Sequence, residues 1–288
     1  MRYSVDVPNF GEFADPEVVA KVARRAEEAG WDALLVWDHV VEQKDLRREI
    51  ADPWILLTAA ALATRRIRLG TAITPVARRR PAKLAREVTT LDRLTGGRMV
   101  LGVGLGAPVD DEYGSFGDTT DTKLLAERLD EGLQALDLLW SGEPVTYRGN
   151  QITIDEVVFL PTPVQRPRVP IWVGGVWPNK APMRRAARWD GAIPAMAGTI
   201  ETARPPEVRE VRELVGVGPW PSSESPGGTS GCPGVLTWSV PRRSGAGSTT
   251  ARLASSRAPP RRRWRCRVRS IRDPAVPGGC HGRTKTVE

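Results

Sequence analysis

The sequence predicts an α/β fold in which parallel strands are joined by right-handed helical crossovers, either as a doubly wound sheet or as a closed βα barrel. Three observations predict it. Short apolar stretches alternate with amphipathic helical stretches through the first 214 residues, and such alternation requires parallel strands with helices packed against them. Helices open on an acid followed by proline, as at Asp15-Pro16 and Asp52-Pro53, which joins a capping side chain to the first helical position, where proline is tolerated. The second apolar run, Leu34-Leu35-Val36, stops abruptly at Trp37-Asp38-His39, which is how a parallel sheet presents titratable groups at its carboxyl edge.

Taken in order, Tyr3 to Val7 reads as the first strand. The helix that Asp15 opens carries Val18, Val19, Val22, Ala23 and Ala26 on one side, Arg24, Arg25 and Glu27 on the other, and ends at Gly30, a residue suited to a left-handed stop. Ala33 to Trp37 is the second strand. Asp52-Pro53 begins a helix through Ala63, and Ile67 to Ala72 is the third strand. Pro81 begins a helix with Leu84, Val88 and Leu91 on one face, closed by Gly96-Gly97; Arg98 to Val103 is the fourth strand. A long helix then spans Asp121 to Trp140, with Leu125, Leu129, Leu136 and Leu139 at helical spacing.

Between Gly142 and Pro170 the rhythm changes. Pro144–Tyr147 and Gln151–Ile154 flank Gly149-Asn150 as an inserted hairpin, and a proline-punctuated loop runs from Phe159 to Pro170. The cycle resumes with Ile171-Trp172-Val173, a helix from about Asn179 to Arg188, a weak strand at Gly191–Pro194 and a helix around Pro206–Leu214. That makes six βα units within one domain, residues 1–215, with 142–170 inserted.

The chain changes character near Val215. Residues 216–288 hold 13 Lys and Arg against 3 Asp and Glu, whereas residues 1–215 hold 29 against 31, so the net charge of +8 comes from the last segment. All three cysteines (Cys232, Cys266, Cys280) lie there too, among 30 Gly, Pro or Ser, with no sustained periodicity; an irregular basic tail of low order is expected. Their odd number and irregular spacing match neither a disulfide framework nor a zinc pattern. Asp6 interrupts what would be the apolar core of a signal peptide, and the apolar helix at Trp54–Ala63 is far short of the roughly 20 residues that span a bilayer. A cytoplasmic protein with no membrane partner is expected.

Several phrases occur in a particular order: Ala29-Gly30-Trp31-Asp32-Ala33 leading to Trp37-Asp38-His39; Arg68-Leu69-Gly70-Thr71-Ala72-Ile73-Thr74-Pro75; Leu91-Asp92-Arg93-Leu94-Thr95-Gly96-Gly97-Arg98; Gly102-Val103-Gly104; Glu112-Tyr113 with Phe116-Gly117; and Pro170-Ile171-Trp172-Val173-Gly174-Gly175. As an ordered set they resemble the bacterial-luciferase-like flavin-dependent oxidoreductases, over about residues 1–214. The resemblance implies a (βα)8 TIM-type barrel, here incomplete because the tail offers no further strand and helix. It also implies FMN or the deazaflavin F420 as cofactor, a small organic substrate and, by default, a homodimer. The break at Val215 is what a GC-rich gene yields when read out of frame, so a frameshift near codons 213–218 is expected; a natural tail is the alternative.

A reduced flavin needs a dry slot and fixed donors for its acidic tail. The resemblance puts His39 beside the ring as hydrogen-bond donor or general acid/base, with Asp38 at the same wall; taken alone, a strand-end imidazole also serves to satisfy a buried carbonyl. Gly174-Gly175, between a strand and a helix, is assigned to cofactor phosphate; a tight turn is the plainer reading. Gly102 to Ala107 formally matches a dinucleotide fingerprint, yet Pro108 and an acidic run follow it, so Gly104 is read as lining the cofactor at a strand end, with Glu112 and Tyr113 nearby. Thr71, Ala72 and Ile73 mark the third strand end, where the resemblance implies a non-proline cis peptide at Ala72-Ile73. Trp37 and Trp177 are candidates to line the ring slot. Arg78-Arg79-Arg80 reads as a solvated helix entrance in preference to a site for an acidic cofactor tail.

Two other function classes are weighed. A metal-dependent barrel hydrolase fits poorly, because His39 is the only histidine in the first 215 residues and cannot furnish a histidine-rich zinc cluster; no metal ligands are assigned, although a carboxylate-held Mg²⁺ stays open. The alternative to an enzyme is an inactive truncated barrel whose tail, with Arg261-Arg262-Arg263-Trp264-Arg265, binds nucleic acid or anionic membrane through incidental charge; no specific nucleic acid is expected.

Overall fold

The computed structural model describes residues 4–196 and 238–239. The chain divides into two units, 1–243 and 244–288, and the second lies wholly outside the described residues. So do the helix expected at 206–214 and the basic tail from residue 216, apart from Trp238–Ser239.

Strand β1 (Ser4–Val7) leads through a 3-10 turn to helix α1 (Pro16–Glu28), and β2 (Ala33–Val36) leads to α2 (Pro53–Ala63). β3 (Arg68–Thr71) and the short β4 (Thr74–Pro75) precede α3 (Pro81–Thr95); β5 (Met99–Gly104) precedes a single helical turn, α4 (Val109–Glu112), and then the long α5 (Thr122–Leu139). β6 (Pro144–Arg148) and β7 (Thr153–Val158) form a separate antiparallel hairpin. β8 (Ile171–Trp177), α6 (Lys180–Ala186) and β9 (Gly191–Met196) complete the βα units, and β10 (Trp238–Ser239) pairs antiparallel with β9. The sheet order is β1-β2-β3-β5-β8-β9-β10, with β1 to β9 parallel along this path. This is an incomplete βα barrel: six parallel strands with their crossover helices.

The expected caps form. Asp15 accepts the N–H of Glu17 at 2.8 Å, and Asp52 accepts those of Trp54 at 2.8 Å and Ile55 at 3.1 Å, satisfying N–H groups that have no partner within the helix. The strands divide the apolar residues between two faces. Val7, Leu34, Val36, Leu69, Leu101 and Val173 bury with the helices in the larger cluster, while Ala33, Leu35, Val100, Trp172 and Ile193 form a second cluster on the inner face. This is the period-2 alternation of a sheet covered on both sides.

Several boundaries differ from expectation. The second hairpin strand begins at Thr153 because Glu131 of α5 accepts the N–H groups of Asn150, Gln151 and Ile152 at 2.8–2.9 Å and holds them in the turn. The helix after β8 is shorter than Asn179–Arg188. β8 itself runs to Trp177, through two glycines that read as its end.

Candidate active site

The site grows from the carboxyl ends of neighbouring parallel strands. After β2 the chain passes through Trp37, Asp38 and His39, and Asn9, fully buried just after β1, pins it there. The Asn9 amide donates to the carbonyls of His39 and Ala51, both at 2.8 Å, and its oxygen accepts the His39 N–H at 3.2 Å. The His39 imidazole lies edge-on to Trp37 at 5.8 Å and tilted against Phe10 at 6.0 Å.

Glu112, at the end of α4 and 1% exposed, meets this histidine from the other side. Its Oε1 lies 3.0 Å from His39 Nδ1. The same carboxylate accepts the N–H groups of Val40, Val41 and Glu42 at 2.9–3.3 Å and pairs with the Arg78 guanidinium. Among the described residues nothing hydrogen-bonds His39 Nε2. Burial holds the His39 pKa below its ordinary 6.5, with Arg78 pulling the same way and Glu42 and Asp38 opposing. An ionised carboxylate can only accept, so an Nδ1–H directed at Glu112 leaves Nε2 as the basic nitrogen of the ring.

Asp38 is 3% exposed, and both its oxygens are committed. Arg79 grips it through Nε and Nη2 at 2.7–3.1 Å, while Arg78 Nη2 reaches Oδ1 at 2.7 Å and the Asp38 carbonyl at 2.8 Å. Asp38 thus anchors the strand end and has no oxygen left for a ligand. This corrects the reading of Arg78 and Arg79 as a solvated helix entrance: the 3-10 turn at Val76–Arg78, ahead of Pro81, folds both guanidiniums inward. Only Arg80 is exposed.

The third strand end supplies a floor. The Ala72–Ile73 peptide is cis, and Ala72 and Ile73 pack on the inner cluster that contains Trp172. A Cβ on Gly104 would come within 2.9 Å of the Ile73 side chain, and one on Gly174 within 2.5 Å. Both strands must therefore be bare at these points for Ile73 to lie down across them. Thr71 takes a different part from the ligand contact assigned to it: its hydroxyl donates to the Gly102 carbonyl at 2.8 Å and accepts from Thr74 at 3.0 Å, fully buried.

Gly175 and Trp177 require correction. The pair Gly174-Gly175 lies inside β8, not in a turn ahead of a helix N-terminus. Alternation sends Gly175 to the outer face, where a Cβ would meet Pro182 at 2.2 Å, so this glycine lets α6 close on the strand. Trp177 follows it outward into the larger cluster and does not line the inner face. Tyr113 is fully buried and its hydroxyl donates to the Leu105 carbonyl at 2.7 Å, with burial raising its pKa to about 12. Glu112 and Tyr113 share a cavity of about 370 Å³ with Val40, Asp52, Arg78, Arg79, Phe116 and Asp118.

The arrangement suits a flat, largely apolar ring. Ile73 over bare strands gives a low surface, and Trp172 beneath it carries a buried indole N–H with no acceptor among the described residues. His39 stands at the end of the adjacent strand, held through Nδ1 by Glu112. Among the described residues no group of three or more His, Cys, Asp or Glu is placed to hold a metal ion, and no helix is long and apolar enough to cross a membrane. Sequence reasoning missed Asn9, Phe10 and the inward roles of Arg78 and Arg79. Asn9 lies two residues past the end of β1, just after Pro8, the one signal that would have singled it out.

Residues 6–219 match the luciferase-like monooxygenase family. An F420-dependent hydroxymycolic acid dehydrogenase from Mycobacterium tuberculosis is 30% identical over 199 residues, covering 67% of this chain and 52% of the relative. An F420-dependent glucose-6-phosphate dehydrogenase from Amycolatopsis mediterranei is 30% identical over 60% of this chain and 51% of its own length. This chain therefore spans about half the length of these curated relatives. Among solved structures, the monooxygenase RslO1 from Streptomyces bottropensis superposes with a TM-score of 0.61 at 27% identity, over 75% of this chain and 64% of that one. An F420-dependent secondary alcohol dehydrogenase with an F420-acetone adduct shares the fold, with a TM-score of 0.61 at 24% identity over 75% of this chain and 66% of that one.

Proposed function

The chain belongs to the luciferase-like monooxygenase family, and from that membership we propose that it is a flavin- or F420-dependent oxidoreductase of a small organic substrate, with His39 as its proton-transfer group. One observation carries the reading. An imidazole, tied through Nδ1 to buried Glu112, stands at the carboxyl edge next to a strand end whose Ile73 lies across bare Gly104 and Gly174. FMN and F420 both offer a flat tricyclic ring to such a floor. When bound, that ring supplies hydride exchange or, as reduced FMN, the capacity to reduce oxygen.

The chain's own residues divide the remaining work. Ile73 and the inner apolar cluster exclude water from one side of the ring site, which strengthens every polar contact there. Nε2 of His39 takes or returns the proton that accompanies oxidation or reduction at a substrate carbon. Glu112 and Asn9 keep the imidazole where it is. The same family reading carries a homodimer and a cytoplasmic location as proposals.

The test is titration of the purified chain with FMN and with F420, followed by absorbance and fluorescence. Saturable binding of one of them supports the proposal; absence of binding by both ends it. In a binding chain, His39→Asn should keep the ring and lower turnover by about 10²–10⁴, the range for loss of a general acid/base.

A further inference from the structure

Arg78 belongs to neither the floor nor the imidazole, yet among the described residues it is the one side chain that joins the two carboxylates around His39. Nη1 pairs with Glu112, and Nη2 reaches Asp38 Oδ1 at 2.7 Å and the Asp38 carbonyl at 2.8 Å. Asp38 is held in turn by Arg79, so the guanidinium is fixed at both ends. Its side chain is 12% exposed and that of Glu112 1%, and at such depth an uncompensated carboxylate draws protons strongly.

We propose that Arg78 is a positioning residue for the chemistry of His39: by pairing with Glu112 it makes that carboxylate a pure acceptor and keeps the imidazole as the neutral Nδ1–H tautomer, with Nε2 free to act. This rests on His39 as the proton-transfer group. The charges that bear on the ring come from four places: Glu112 at the end of α4, Glu42 in the loop after β2, Asp38 at the end of β2, and Arg78 ahead of α3. Three are negative, but Arg79 is spent on Asp38 and Arg48 on Glu42, so Arg78 is the cation that compensates Glu112. Removing it leaves the excess negative charge to be met by a proton on the imidazole, which then carries protons on both nitrogens and is no longer a base.

Because the chain has only two histidines, His39 and His281, nitrogen-15 NMR of the labelled full chain reads the tautomer and the titration of His39 directly, with His39→Asn identifying its signals. The wild type should show the proton on Nδ1 and titrate below the ordinary histidine value. Arg78→Met should raise the proton affinity of His39 about tenfold or more, the scale of one opposite charge gained or lost nearby, and leave His281 unmoved. Arg78→Lys, which keeps the charge but not the fork, should stay within about threefold of wild type by the same reasoning. A wild-type ring protonated on Nε2, or a folded Arg78→Met protein with wild-type titration and tautomer, would overturn the proposal. If Arg78→Met does not fold, the wild-type tautomer and Arg78→Lys decide it; a tenfold shift with Lys also overturns it. None of these readouts needs a bound ring, so they fail or succeed separately from the FMN and F420 titrations.

Discussion

Glu112 Oε1 lies 3.0 Å from Nδ1 of His39, 73 residues earlier in the chain. One buried carboxylate thereby orients the imidazole and ties down the loop after β2, since it also collects the backbone N–H groups of Val40, Val41 and Glu42.

Glu112→Ala would remove the acceptor of Arg78 Nη1, of the His39 ring N–H and of three backbone donors. The expected loss is about 3–5 kcal/mol, the cost of removing one member of a buried ion pair, read from urea unfolding. Glu112→Gln keeps an acceptor and should lose about 1–3 kcal/mol.

The floor predicts a contrast between adjacent glycines. Gly174→Ala places a methyl 2.5 Å from Ile73 and should lift that side chain, weakening FMN or F420 binding about tenfold or more, since such overpacking is worth about 1–3 kcal/mol. Gly175→Ala places its methyl 2.2 Å from Pro182 and should loosen α6 with about the same loss of stability. Thermal melts and ring titrations of the two variants distinguish these outcomes.

Asp6 predicts a pH dependence. It sits between Val5 and Val7, which pack toward the helices, so it faces inward beside Leu35, its partner across β1 and β2. Burial raises its pKa from 3.8 to about 7, against a small opposing contribution from the Ser4 hydroxyl. The folded state therefore holds this proton more tightly than the unfolded chain does. Stability linked to Asp6 is fully present below about pH 4 and is lost as pH rises to about 7, by on the order of 2–4 kcal/mol. Asp6→Asn should be more stable than wild type at pH 8, and the advantage should vanish near pH 4; equal gaps at both would refute it.

For turnover, the direction of the His39 shift sets the acid limb. A base whose pKa lies below 6.5 stays active down to more acidic pH than a free imidazole would, and rate is lost only as pH falls through that lowered value. A limb above the ordinary histidine value in kcat/KM would contradict the assignment.

The family match ends at residue 219, beside the change in charge and composition near Val215. If a frameshift lies at codons 213–218, resequencing the locus should reveal, in one shifted frame, further apolar strands alternating with amphipathic helices. Two shifted frames without that pattern would favour a natural tail.

The order of βα units, the capping acids and the strand end at Asp38-His39 were legible in the sequence, because period 2, period 3.6 and Asp-Pro openings are local properties of the chain. His39 and the cis Ala72–Ile73 bond were reached by resemblance, and the structure agrees about the bond. Side-chain direction and charge pairing were not legible. Whether Gly174 faces inward and Gly175 outward depends on β8 continuing through both, which its pairing with β9 decides. Asp38, His39, Arg78 and Glu112 meet across separations of 34 to 73 residues. Only folding could turn an apparent catalytic acid into an anchor and an apparent surface charge run into its buried partners, because a burial cost and its compensating contact arise together when distant segments close on one another.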